Sequence, residues 1–290
     1  VPVHGDYVAR SPYELVLNAS GRAGTLLRDG VEIGPVRLHP RPRIYALETA
    51  DGVPYWKIAL MHLDSLASTV FQRCVYWGTH EQCHFCAIGT TLAAGRTVPV
   101  KTPAMLAEVA EAAARLDGAK DVTLTTGTPN RDDRGAGYMA RCAEAIRDRS
   151  GLPVQVQIEP PADFGWFARL KGAGVEALGL HLEVWDEAVL ARVAPGKAAQ
   201  GRDHYLAAWE AAVEVFGRGQ VSTYFILGLG EAPESVMEGV RAAVDRGVYP
   251  FVVPLRPAPG SIVADGVPPP AEYVRDVYER VAPLLAEARM

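Results

Sequence analysis

From about Gly127 onward, the chain repeats one unit: a short apolar, alternating run followed by a helical pattern, recurring roughly every thirty residues. That repeat constrains the fold more than any other feature. Strands separated by whole helices cannot be joined by tight turns, so they pair in parallel through crossovers. The strand candidates are "STVFQR" ending at Arg73, "KDVTLTT", "PVQVQIE", "EALGLHLE", "QVSTYFILG" and "YPFVVPLR". After the sixth come the Pro-rich "RPAPGSIVADGVPPP" and one last helix, "AEYVRDVYERVAPLLAEARM", with no seventh or eighth unit. The expected fold class is therefore α/β, a partial (β/α)6 TIM-type barrel of parallel strands.

The first sixty or so residues differ. "YELVLN", "GVEIGPVRL", "RIYALETADG" and "YWKIALMHL" read as short strands punctuated by Gly and Pro, an N-terminal antiparallel β element. The expected division is 1–66 for this element and 67–290 for the barrel with its C-terminal helix. In "KTPAMLAEVAEAAARLDG", Thr102 reads as N-cap, Pro103 as the first helical position and Gly118 as the stop, with Leu106, Val109, Ala113 and Leu116 as the apolar stripe. "GRDHYLAAWEAAVEVFG" sets Leu206, Trp209, Val213 and Phe216 on one face. Cys142 shares a helical face with Met139 and Ile146 and reads as core, where a free cysteine behaves as a small hydrophobe.

Side chains alternate along a strand, so "PVQVQIE" puts Val154, Val156 and Ile158 on one face and Gln155, Gln157 and Glu159 on the other. "EALGLHLE" likewise sets three leucines opposite His181 and Glu183. The aliphatic faces belong against the outer helices, which sends the polar ones inward. A closed barrel fills its interior with branched apolar side chains. Polar lumen positions therefore imply an open cleft for a ligand, or a satisfied buried polar network.

Three of the four cysteines, Cys74, Cys83 and Cys86, fall in "CVYWGTHEQCHFC", directly after the first strand candidate, at the mouth where barrel active sites gather. A chain of 290 residues buries a core without crosslinks, so clustered thiols in a reducing cytoplasm read as metal or redox chemistry. Three readings are open on spacing. One is a closed Cys3His zinc site completed by His80 or His84, in a non-catalytic regulatory or structural protein. Another is an iron–sulfur cluster with one iron left for an exogenous ligand. The last is a CxxC redox pair, weakened by the absence of the following helix. A net charge of −5 without a polybasic stretch argues against nucleic acid, and no apolar run reaches membrane-spanning length. A small-molecule substrate and a cytoplasmic location are expected. The opening residues show no secretory leader pattern.

The cysteine loop after the first strand of an incomplete parallel barrel, with Phe85 before the last cysteine, resembles the radical S-adenosylmethionine (SAM) enzymes, in the biotin-synthase-like branch. Their usual gaps are three and then two residues; here the first gap is eight. The resemblance implies that Cys74, Cys83 and Cys86 hold a [4Fe–4S] cluster whose free iron takes SAM, with Phe85 shielding the cluster. "TLTTGT", through Thr125, Thr126 and Gly127, is similar to the family segment holding the SAM amino group, although the usual GGE is not present. Glu183 and Arg202 resemble the pair that binds SAM ribose or amino groups and SAM carboxylate. "YFILGLGE" matches most of a GxIxGxxE adenine-side motif through Ile226, Gly228 and Glu231, with Tyr224 in place of the first glycine, and Val253 would offer backbone groups to adenine. Gln155, Gln157, Glu159, His181 and Tyr224 are the substrate candidates for a small, polar, amino-acid-like molecule. The resemblance also implies an external electron donor of flavodoxin or ferredoxin type. A narrower likeness, in "CHFCAIGTTLAAGRTVPVKTPAMLAEVAEAAARLDG" and "GRGQVSTYFILGLGEAPES", is to a subgroup encoded beside a nitrilase in bacterial clusters linked to cyanide assimilation.

Overall fold

The computed structural model describes residues 8, 9 and 11–290. Six parallel strands form the centre of the protein: β5 (Ser65–Thr69), β6 (Asp121–Thr125), β7 (Val154–Gln157), β8 (Val175–Gly179), β9 (Val221–Leu227) and β10 (Val248–Pro254). A short β4 (Leu60–His62) pairs antiparallel with β5, giving a seven-stranded sheet ordered β10-β9-β8-β7-β6-β5-β4. The sheet curls into a half-barrel. Three earlier strands, β1 (Tyr13–Leu17), β2 (Ala23–Arg28) and β3 (Val31–Arg37), form a separate antiparallel sheet.

Helices cover the outer face: α2 (Pro103–Asp117), α3 (Ala136–Ser150), α4 (Gly165–Gly172), α7 (Arg202–Phe216) and α8 (Pro233–Asp245), with α9 (Ala271–Ala288) closing the chain. Three shorter helices, α1 (Ile88–Ala93), α5 (Glu187–Val193) and α6 (Pro195–Ala198), sit in the loops that follow β5 and β8. The aliphatic faces of the strands, including Val122, Leu124, Val154, Val156 and Leu178, are sealed against these helices. Burying side chains of that size contributes about 1.5–3 kcal/mol each, which holds the sheet rigid beneath its loops. Thr102 caps α2 by accepting from the Met105 N–H, and Gly118 ends it at φ 70°, a left-handed conformation that glycine adopts without strain. Cys142 is fully buried on α3.

Several boundaries differ from the sequence reading. The first strand is Ser65–Thr69 rather than a run to Arg73, because after Thr69 the chain bends over the sheet's end. "RIYALETADG" holds a 3-10 turn at Arg43–Ala46 instead of a strand, its N-terminal N–H groups at Arg43 and Ile44 donating to the Asp117 carboxylate. "YWKIALMHL" divides into a 3-10 turn at Tyr55–Lys57 and β4. β8 ends at Gly179, so Glu183 lies four residues beyond it, in an isolated bridge to Phe225.

Candidate active site

A cavity of about 220 Å3 lies at the C-terminal ends of β6, β7 and β8. Cys74, Cys83, Cys86 and Phe85 form one wall; Thr125, Thr126, Gly127, Gln157, Glu159, His181 and Glu183 face them. The thirteen-residue stretch from Cys74 to Cys86 is folded locally so that all three thiols line this cavity. The eight-residue gap between Cys74 and Cys83 is wound into turns, with backbone bonds from Trp77 to Cys74, Thr79 to Tyr76 and Gln82 to Thr79. Tyr76 anchors this coil in the interior, 2% exposed. Its hydroxyl receives Arg134 at 2.6 Å and donates to Glu159 at 3.2 Å.

Two glycines make room for the loop. A Cβ at Gly127 would lie 2.3 Å from the carbonyl oxygen of Arg73, and one at Gly196 would lie 2.8 Å from the Tyr76 ring. Glu159, read as a substrate contact, also receives Gln200 at 3.2 Å and faces Arg134 at 3.6 Å. It thus ties the cysteine coil to the barrel while lining the cavity.

The sequence reading missed Lys197, on α6, which lines the same cavity. Its ammonium donates to the His181 carbonyl at 2.7 Å and to Glu183 Oε1 at 2.9 Å. Burial pulls this ammonium toward neutrality, but the surrounding acidic groups, Glu183 first among them, together outweigh it, so its pKa is raised. Glu183 adopts φ 75°, a conformation costly for a non-glycine residue, which turns its carboxylate into the cavity. A lone buried lysine carries no signal in a sequence; only the paired carboxylate across the loop reveals it.

His181 packs against Tyr224 with ring centroids 4.4 Å apart. Both of its ring nitrogens are buried, and among the described residues neither has a hydrogen-bond partner. Burial, with the Lys197 charge second, depresses its pKa to about 3, so the imidazole is neutral. A Cβ at Gly179 would lie 2.6 Å from this ring, so the glycine sets the ring's position. Burial likewise pushes the Cys83 thiol up to about 12 and raises Cys86. Metal binding, which takes thiolates, would release these protons.

Other sequence candidates lie outside this cavity's lining. Gln155 accepts from Thr123 at 3.3 Å on the lumen face. Arg202 stacks over Trp185 at 4.7 Å and faces Glu187 at 3.5 Å. Ile226 and Val253 pair across β9 and β10. Gly228 and Glu231 form the turn after β9, where the Glu231 carboxylate accepts the Gly228 and Leu229 N–H groups and the Tyr273 hydroxyl.

His80 and His84 do not line the cavity. Among the described residues, no three His, Cys, Asp or Glu side chains converge closely enough to hold one metal ion. The three thiols line this cavity without either histidine of a Cys3His site, the ligand number of an inorganic cluster bound by the protein at three corners.

The model of the radical SAM superfamily matches residues 77–250. The chain belongs to this superfamily. Radical SAM proteins use a [4Fe–4S] cluster and SAM, and need a reductant. The match opens just after Cys74, so the inclusion of that thiol rests on its place in the cavity wall. A relative in Chlorobaculum limnaeum, bacteriochlorophyllide c C-7(1)-hydroxylase, is 34% identical over 135 residues, 46% of this chain and 33% of its own. The chain therefore spans about a third of that relative's length. Among solved structures, methylornithine synthase superposes with a TM-score of 0.56 at 15% identity, covering 83% of this chain and 72% of its own. A radical SAM methyltransferase from Sphaerobacter thermophilus gives 0.57 at 16%, covering 94% and 75%. The hydrogenase maturase HydG gives 0.56 at 17%, covering 76% and 49%. Likeness at these identities establishes the radical SAM half-barrel. Among the described residues, no helix is long and apolar enough to cross a membrane.

Proposed function

We propose that Cys74, Cys83 and Cys86 hold the [4Fe–4S] cluster and that the protein uses SAM to abstract hydrogen from a small polar substrate. The observation that carries this reading is the shared cavity wall: three thiols from an atypically spaced motif face the polar ends of β6, β7 and β8. When bound, the cluster supplies an electron to SAM, which yields methionine and a 5′-deoxyadenosyl radical.

The chain's own residues have separable tasks. Phe85 shields the cysteine wall from water. Thr125, Thr126 and Gly127 offer hydroxyl and backbone groups to the SAM amino group. Glu183, held by Lys197, presents an oriented carboxylate for ribose or amino groups, and Arg202 is the carboxylate partner proposed for SAM. Ile226, Gly228, Glu231 and Val253 shape the adenine side, with Glu231 acting through the turn it holds. Neutral His181, with two unpartnered nitrogens, is the substrate contact best supported by the geometry, because a buried polar group without a partner is costly unless a ligand satisfies it. Gln157 and Glu159 complete the polar lining, and Tyr224, packed on His181, and Gln155, on the lumen face, are the remaining substrate-side candidates. The substrate is amino-acid-like, undergoing rearrangement, fragmentation or oxidation, and the electron donor is of flavodoxin or ferredoxin type. The narrower resemblance supports membership of the subgroup encoded beside a nitrilase as part of this proposal, which inspection of the gene neighbourhood checks.

The test is direct. Anaerobically prepared protein should bind about four iron and four sulfide per chain and, once reduced, form 5′-deoxyadenosine from SAM. Cys74→Ala, Cys83→Ala and Cys86→Ala should each abolish the nucleoside. Full activity in Cys74→Ala, or a single bound zinc, would sink the assignment.

A further inference from the structure

A second cavity, of about 540 Å3, lies beside the first at the open edge of the half-barrel, under β4 and β5. The two share Thr125, whose hydroxyl lies 2.9 Å from that of Thr69 in the second cavity. Their chemistry differs. The chain as a whole carries 34 acidic residues against 29 basic ones, yet no Asp or Glu lines this second space, whereas Lys57, Arg96 and Lys101 do.

Lys101 is the informative residue. It is 1% exposed, and its ammonium donates only to neutral oxygens, Thr97 Oγ1 at 2.6 Å and Gln72 Oε1 at 3.2 Å. An ammonium has three N–H donors, so one is left over. Among the described residues, none of the three cations makes an ion pair. Lys57 lies over the Trp56 ring at 5.3 Å, and Arg96 reaches the cavity from an exposed position on the loop after α1. Burial with nothing to offset it lowers the Lys101 pKa to about 8. Buried ammonium groups are ordinarily paired, so the missing counter-ion is the notable feature of this site.

We propose that the second cavity binds an oxyanion, the carboxylate or phosphate of the molecule whose other end reaches the cysteine cavity past Thr125. This rests on the function proposed above, and it narrows the substrate to an anionic class. Lys101 supplies the desolvated charge, Arg96 a planar fork able to grip two oxygens, and the Thr69–Thr125 pair, in which one hydroxyl donates to the other, one further O–H donor.

Calorimetric titration of the reconstituted protein with inorganic phosphate and with acetate, at low salt and without reductant, tests the site independently of turnover. Saturable binding of one anion per chain is expected, weakened about tenfold or more in Lys101→Met and in Arg96→Gln, as loss of a charge-assisted contact implies, with iron content unchanged. Tighter binding of phosphate would identify a phosphate ester, and tighter binding of acetate a carboxylate. Arg96 is exposed, so its variant folds even if Lys101→Met does not. Absence of saturable binding, or equal binding in the variants and the wild type, would overturn the proposal. Iron content and 5′-deoxyadenosine formation, measured separately, report on the cluster assignment.

Discussion

At the scale of single residues, the cysteine wall depends on close approaches that tolerate no extra atom. Gly127 is not in a left-handed conformation; it is glycine because the Arg73 carbonyl sits where a Cβ would be. Gly127→Ala must therefore push back the segment after β5 that carries Cys74, and we expect it to cost about 1–3 kcal/mol and to lower iron per chain. Gly151→Ala provides the contrast: φ is 69° but the space is open, so about 1 kcal/mol of strain should leave iron content intact. Urea midpoints and iron analysis separate the two effects. Lys101 gives a pH signature. Its pKa is about 8 when folded against 10.5 unfolded, so between those values the unfolded chain holds a proton that the folded one lacks. Stability should rise by up to about 3 kcal/mol from pH 8 to 10.5 relative to Lys101→Met, and a flat difference would contradict the burial assigned to it.

At the scale of elements, loops after the strands are held by side chains that stand in for missing backbone partners. The turn from β9 into α8 contains Gly228 and Gly230, both in left-handed conformations, and Glu231 satisfies the N–H groups left free there. Charge-assisted bonds of 2.7 and 2.8 Å make it a clasp. Glu231→Ala should cost about 1–3 kcal/mol in denaturant unfolding and weaken SAM binding, whereas Glu231→Gln should keep most of the stability. The α6 segment works in the same way: a four-residue helix carries Gly196 beneath Tyr76 and Lys197 beside Glu183, so one short element supports both the cysteine coil and the cavity's charged pair.

At the scale of the whole molecule, the seven-stranded sheet and its helices form one body, while no strand of the N-terminal sheet joins it. That small sheet exposes Leu15, Val16, Leu17, Val31 and Ile33, and three strands without a covered face are marginal alone. Limited proteolysis should clip first between Arg37 and Arg43, leaving a barrel whose unfolding free energy stays within about 1 kcal/mol of the intact protein, as expected for a peripheral unit of low local stability. Simultaneous loss of the barrel's cooperative transition would show that the two sheets unfold together. The half-barrel is open at β4, and this opening creates the second, cationic cavity next to the first.

Periodicity alone determined the six parallel strands, the helical cover and the lumen-facing row of Gln155, Gln157 and His181, because alternation and helical spacing are local properties of the chain. The thiol cluster was equally legible as a concentration of rare residues. Tertiary structure decided what local patterns cannot carry. It wound an eight-residue gap into turns around Tyr76, ended β8 before Glu183 and paired that carboxylate with Lys197. It also left Arg202, Ile226, Gly228, Glu231 and Val253 off the cysteine cavity, and buried Lys101 without a counter-ion. Each of these depends on which groups from distant segments meet in a low-dielectric interior. There, burial and pairing set the charge of a side chain more strongly than its identity does.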